Sequence, residues 1–315
     1  MRVLIFMKIA ALLIFTSSVM CKSPMPVSSP EISVNRAKFI LKEIIDLPGY
    51  RNYKNPEVLN LTAQYIKSVL SKSGYDVIEQ KFTVRGTEYK NLRVFYGDKN
   101  FPRLVVGAHY DVHGDQQGAD DNGSAVTGLI LLSELLQQNK PEIPYHIEMV
   151  FYTLEEPPFF RSEFMGSYIH AKSIHDEKIN LIGMICLEMI GFYSEDPHSQ
   201  NYPAGILKWF YPDKGNFIGV VGNFTSSSLV NHFAAKMKLA DIPVEKLKAP
   251  SFLTGVDFSD HLNYWKFGYK ALMITDTSFY RNPNYHEPTD TIETINFIKL
   301  TETIKGVYLA LISLK

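Results

Sequence analysis

The stretch Arg103-Leu104-Val105-Val106-Gly107-Ala108-His109-Tyr110-Asp111 drives an apolar run straight into a histidine and an acid. About ten residues later Gly118-Ala119-Asp120-Asp121-Asn122-Gly123-Ser124 opens a helical pattern. A short apolar run that stops abruptly on polar residues reads as a strand buried on both faces, and the helix after it as the crossover to the next strand. The same alternation recurs on either side. Strands are expected at 76–84, 91–96, 103–108, 146–153, 181–187, 216–221 and 271–275, and helices at 31–45, 56–73, 123–138, 162–173, 226–238 and 292–314. The second helix is the best marked, with Asn55 as N-cap, Pro56 at the first helical position and Gly74 just past the end. This rhythm predicts an α/β fold: a three-layer sandwich with a mainly parallel mixed central sheet flanked by helices, in one domain over residues 31–315. Residues 191–214, with six aromatics and three prolines, break the rhythm and suit a functional loop or lid.

The 315 residues are 45% hydrophobic and 21% charged, with a formal net charge of -1, which fits a soluble globular domain and leaves no basic excess for nucleic acid. The N-terminus, with Arg2 and Lys8 around the apolar run Ile9 to Phe15 and small residues after it, reads as a signal peptide over residues 1–22. Residues 23–30 read as a disordered lead-in. Export, secreted or periplasmic, is therefore expected, with a lipid anchor through Cys21 as a second route and no stable membrane span. Only Cys186 remains in the body of the chain, so no internal disulfide is expected.

Ligands of an open α/β sheet bind beyond the carboxyl ends of its strands, so residues after each apolar run are the ones to inspect. They are His109 and Asp111, then Asp120 and Asp121 at the helix start, Glu155-Glu156, Glu188, and His286 beyond the last strand. Singly, each has an ordinary reading as a solvated or capping residue. Two histidines and several carboxylates all following buried strands point to a metal site, and imidazole with carboxylate and no thiolate suits catalytic zinc.

His109-Tyr110-Asp111, Gly118 to Gly123, Glu155-Glu156, Glu188, Ser259-Asp260-His261 and Tyr285-His286 resemble, in order and spacing, the motifs of the co-catalytic two-zinc aminopeptidases, relatives of glutamate carboxypeptidase and glutaminyl cyclase. The resemblance implies a zinc exopeptidase-like fold with two zinc ions that hydrolyses N-terminal residues from peptide substrates by an activated water. It makes Asp120 the bridging carboxylate, His109 and Glu188 further ligands of one zinc, Glu156 and His286 those of the other, and Glu155 the general base. Asp111 is expected to orient His109 from its far nitrogen, and Asp290 to act likewise near His286. Asp121, Asp260 and His261 are expected in supporting or substrate-side positions, with His261 as the competing ligand to His286. A cis peptide bond is implied between Asp120 and Asp121.

The chain departs from the pattern at Pro157 to Met165, which puts specificity rather than reaction type in question. Phe159, Phe160, Phe192, Tyr193 and Phe279 are expected to make an apolar pocket, and Arg161 is a candidate for a substrate carboxylate. The competing readings are a glutaminyl-peptide cyclase, a carboxypeptidase and a non-catalytic binding domain with a peptidase-like fold.

Overall fold

The structure, a computed structural model, describes residues 30–314; the expected signal peptide and nearly all of the lead-in lie outside the described residues. Eight strands form one sheet: β1 (Ile78–Val84), β2 (Thr87–Tyr96), β3 (Arg103–His109), β4 (His146–Tyr152), β5 (Leu181–Glu188), β6 (Ile218–Gly222), β7 (Val244–Lys248) and β8 (Ala271–Thr275), in the order β1-β2-β4-β3-β5-β8-β6-β7. The central strands β4, β3, β5 and β8 run parallel. On one side β1 and β2 attach through antiparallel pairs, and on the other β6 pairs antiparallel to β8 and carries β7. The sheet is thus mixed and parallel at its centre, as its apolar runs imply.

Helices α1 (Val34–Ile45), α2 (Pro56–Lys72), α3 (Ala125–Asn139), α5 (Ser227–Met237) and α7 (Phe297–Ile312) build the larger core on one face; α4 (Gly166–Asp176) and α6 (His261–Lys266) cover the other. Pro56 starts α2 as expected, but Asn55 makes no side-chain cap and donates instead to the Tyr50 carbonyl. The last helix begins at Phe297 rather than near 292, where Asn296 accepts from the Lys299 amide. Gly128 marks where α3 meets α7: a Cβ there would lie 2.5 Å from Ile304 Cδ1. Two elements escape the sequence reading, β7 because Val-Glu-Lys-Leu-Lys has no apolar run, and α6 because it is only 6 residues long.

The thinner face carries an ionic cluster. Glu148, fully buried on β4, accepts from Arg93 Nε at 2.5 Å, Arg103 Nη1 at 3.0 Å and the His170 ring at 3.1 Å. His170 continues through Tyr264 to Tyr152 by contacts of 2.5 and 2.7 Å, so Tyr264 belongs to the core. Burial alone would raise the Glu148 carboxyl, but His170, Arg93 and Arg103 outweigh it and hold it at about 2. Because this folded value lies below the unfolded one, the cluster stabilises the fold above roughly pH 4.3 and loses that contribution as pH falls towards 2.

Glu148→Gln is expected to cost about 3–5 kcal/mol, since it leaves the buried His170 and the half-buried Arg93 and Arg103 without their counter-charge. Urea unfolding at neutral pH measures this. An unchanged midpoint would refute the role given to the cluster.

Candidate metal centre

Of the six residues expected as ligands or base, five stand at or beyond the carboxyl ends of central strands, and the sixth, Asp120, lies in the turn that opens α3. His109 is the last residue of β3 and Glu188 the last of β5; Glu155 and Glu156 follow β4, and His286 sits in the long loop after β8. The backbone there is held by two acids. Asp111 accepts the amide hydrogens of Glu155 and Glu156, at 3.2 and 3.1 Å, one on each carboxylate oxygen. Asp290 does the same for Asp120 and Asp121, at 2.8 and 3.0 Å. Asp111 also stands behind His109, whose Nδ1 lies 3.2 Å from the Asp111 carbonyl and 3.5 Å from its carboxylate. Asp290 therefore supports the acid pair and does not stand behind His286 as expected.

The central carboxylate is Asp121, which corrects the assignment to Asp120. One Asp121 oxygen is 3.5 Å from His109 Nε2 and the other 3.3 Å from His286 Nε2. His109 Nε2 is also 3.3 Å from Glu188, and His286 Nε2 is 3.3 Å from Glu156. Asp120 turns into the body of the protein, where it accepts from the Gly191 amide at 2.9 Å and from Asn282 Nδ2 at 2.8 Å. The cis bond likewise falls one residue later than expected, between Asp121 and Asn122. Neighbouring residues in the Ala119–Ser124 turn point in different directions, so a one-residue offset exchanges a site residue for a buried one. Gly118, with φ at +59, leads into that turn; a Cβ there would lie 2.2 Å from the Asp121 carbonyl. Arg51 Nη2 donates to the Gly118 carbonyl at 2.5 Å.

The donor set fits a pair of zinc ions. Donors at about 2.0–2.2 Å around a tetrahedral ion stand roughly 3.3–3.5 Å from each other, and the four contacts made by His109 and His286 with Asp121, Glu188 and Glu156 are 3.3–3.5 Å. The charges also require cations. Asp121, Glu155, Glu156 and Glu188 are all buried, with Asp260 behind them. Burial first, then Glu156 and Glu188, push Glu155 well above the usual carboxylate range. Burial and Asp121 raise Glu156 to about 7. So many buried carboxylates with two imidazoles among them need metal ions or protons to balance them. Glu156 Oε1, a buried oxygen without a hydrogen-bond partner, is a free donor atom.

His113 also approaches Glu156 and His286. Its ring lies flat on that of His286, 3.9 Å between centroids and 2° from parallel. The in-plane lone pairs of two parallel rings cannot converge on one ion, so Asp121 rather than His113 completes that side. Tyr285 stacks on the opposite face of His286 at 3.8 Å.

His261 does not compete with His286. It is buried, with Nε2 on the Val256 carbonyl at 2.8 Å, and burial lowers it to about 4. Asp260 is fully buried and neither residue lines the cavity, so the substrate-side expectation for both is corrected: they support its wall from behind. Residues not anticipated as site residues are Asn122, whose side chain spans the Leu187 carbonyl and the Met189 amide, and Asp276, which accepts the Phe192 and Ser278 amides. Asp276 directly follows β8, so the strand-end rule applied to every strand would have found it.

A cavity of about 220 Å³ opens from this cluster, far above the roughly 10–15 Å³ that one water occupies. Phe160, Phe258 and Phe279 line it, and the loop 191–217 roofs it. Of the expected pocket aromatics, Phe160 and Phe279 are present. Phe159 instead packs edge-on against Tyr53, Tyr193 joins the core with its hydroxyl 2.9 Å from Thr303, and Phe192 is not part of the lining. Arg161 is engaged by Asp257 at 2.7 Å and lies over Phe160 and Phe258. The Pro157–Met165 segment thereby becomes a cavity wall.

The model of Peptidase family M28 matches residues 92–310, a span that holds every member of the cluster. The uncharacterized protein YfbL of Escherichia coli (strain K12) is 44% identical over 266 residues, 82% of this chain and 81% of that protein. A leucine aminopeptidase precursor from Bacteroides thetaiotaomicron superposes with a TM-score of 0.71 at 19% identity, covering 92% of this chain and 100% of the other. A Bacteroides thetaiotaomicron glutaminyl cyclase superposes with a TM-score of 0.69 at 19% identity, covering 91% and 100%. At such identities the two structures share the fold with this protein. Because the family match extends over most of the chain and over its whole cluster of acids and imidazoles, the protein belongs to peptidase family M28.

Proposed function

We propose that the protein is an exported metallo-aminopeptidase that holds two zinc ions and removes residues from the free N-termini of peptides. The observation that carries this reading is Asp121, whose two oxygens face His109 on one side and His286 on the other, with Glu155 on the cavity side of the same cluster. His109, Glu188 and Asp121 would hold one ion, and Glu156, His286 and Asp121 the other. Bound zinc supplies Lewis-acid polarisation of the scissile carbonyl and a more acidic water.

The chain's own groups supply the rest. Glu155 lies 3.9 Å from His109 Nε2, and its backbone is pinned by Asp111, which keeps the carboxylate at the cavity floor. In that position it takes the proton of the attacking water and returns it to the leaving amine. The Tyr285 phenol is pushed far up, first by burial and then by Asp121 and Glu156, so it stays protonated and can donate to the carbonyl oxygen as charge gathers there. Glu155, the cavity-side carboxylate not assigned to either ion, attracts a substrate ammonium and repels a carboxylate, which favours an aminopeptidase over a carboxypeptidase.

Asp121→Asn is expected to lower zinc content, measured by elemental analysis on protein whose fold is checked by circular dichroism; a full complement in the variant would refute the central role. Glu155→Gln should keep its zinc while kcat falls about 10²–10⁴-fold. Loss of the metal together with activity would instead make Glu155 a ligand. Leucine anilide should be cleaved faster than glycine anilide, and acetyl-leucine anilide hardly at all, because a blocked amine cannot pair with the cavity-side carboxylate of Glu155. Equal cleavage of the acetylated compound would sink the aminopeptidase reading, and cyclisation of N-terminal glutamine with no release of residues would replace it with a cyclase.

A further inference from the structure

Because β6 runs antiparallel to β8, the amino ends of β6 and β7 lie on the same sheet edge as the carboxyl ends of β5 and β8. One register row therefore crosses four strands: Glu188 is paired with Thr275, Thr275 with Gly219, and Gly219 with Glu245. Residues opposite each other in a sheet share a face, and all four line the cavity. The next row on that face, with Met273, Val221 and Leu247 side by side, is apolar and lines the cavity too. The floor thus starts at a proposed metal ligand, passes over threonine, a glycine with no side chain, and aliphatic groups, and ends at a second carboxylate.

No described residue forms an ion pair with the Glu245 carboxylate. Its neighbour Lys246 turns its amine to Asn231 on α5, the opposite face. Arg281 is committed to Gln200 and to the carbonyls of Phe192 and Phe217. The roof at this end is Tyr202 and Tyr211, with ring centroids 5.7 Å apart. Both hydroxyls are used on the backbone: Tyr211 donates to the Lys246 carbonyl at 2.9 Å, which fastens the roof to β7, and Tyr202 donates to the Pro212 carbonyl at 2.5 Å. Ring faces and one free carboxylate remain, and this is a setting for a cation.

We infer that Glu245 is a specificity-determining residue, and that the cavity takes an N-terminal lysine or arginine side chain with its aliphatic stem over Gly219 and Val221 and its charge at Glu245. This rests on the aminopeptidase reading. The three interstrand steps from Glu188 to Glu245 span about 14 Å at roughly 4.8 Å each. The two acidic side chains take up part of that span, and an extended lysine or arginine side chain of about 6–7 Å fills the remainder. A leucine side chain uses the apolar floor and stops short of the acid.

The test isolates the charge by using isosteres. On the zinc-loaded full chain, kcat/KM is compared for coumarin amides of lysine and norleucine and of arginine and citrulline, and calorimetry compares binding of free arginine with citrulline. The cationic member of each pair should be favoured at least tenfold, Glu245→Gln should lower that ratio at least tenfold, and Glu245→Asp should retain most of it. An unchanged ratio in Glu245→Gln, or a wild-type preference for norleucine and citrulline, overturns the inference while leaving an active aminopeptidase. A protein that cleaves none of the amides yet binds arginine at least tenfold more tightly than citrulline, with the difference lost in Glu245→Gln, would overturn the aminopeptidase reading and keep the cation site.

Discussion

Two buried carboxylates, Asp111 and Asp290, organise the rest of the site by accepting the amide hydrogens of consecutive acidic residues, Glu155-Glu156 in one case and Asp120-Asp121 in the other. A carboxylate that accepts two backbone hydrogens fixes the direction of the peptide plane between them. It thereby fixes which acid of each pair faces the imidazoles. Four acids would repel one another if their side chains were free to choose. Held by their backbones, one member of each pair is set against His286, while Glu155 is left on the cavity side and Asp120 in the interior.

The sheet determines what those acids face. Parallel strands put His109 and Glu188 on a common edge, and the reversal at β6 brings the amino ends of two more strands to that edge. A wholly parallel sheet would have carried Gly219 and Glu245 to the far end of the molecule. The cluster of acids and imidazoles and the row from Gly219 to Glu245 are therefore adjacent because of one antiparallel pair, and the loop roofing them is tied to the edge strand by the Tyr211 hydroxyl.

Much of this was legible from the chain. The apolar runs at 103–108, 146–153 and 181–187 mark strands buried on both faces, and His109, the Glu155-Glu156 pair and Glu188 stand at or just beyond their carboxyl ends, the edge where ligands of an open α/β sheet bind. The position of His286 followed from the same rule. Less legible was the choice between Asp120 and Asp121, since adjacent acids in a turn have no periodicity to say which points inward. The edge strand β7 was also hidden: half-exposed and alternating, it carries too few apolar residues to stand out from a loop. The pocket aromatics divided for a similar reason, because Phe159 and Phe160 are neighbours in sequence but face opposite sides of the wall they form.

Strand β4 shows how the fold separates structural charge from functional charge. Glu148 lies within it and Glu155 and Glu156 just beyond its end, all three buried carboxylates on one short segment. Glu148 is held at about 2 because Arg93, Arg103 and His170 surround it, and its oxygens have no further demand. Glu155 and Glu156 are pushed upward because their neighbours are burial itself and other acids, with the imidazoles only partly offsetting them. The first cluster is closed and contributes to stability without any added group. The second is electrostatically incomplete, and a site that must recruit cations has to be incomplete in that way: a protein arginine in place of His286 would balance the acids and remove the reason for a metal to bind.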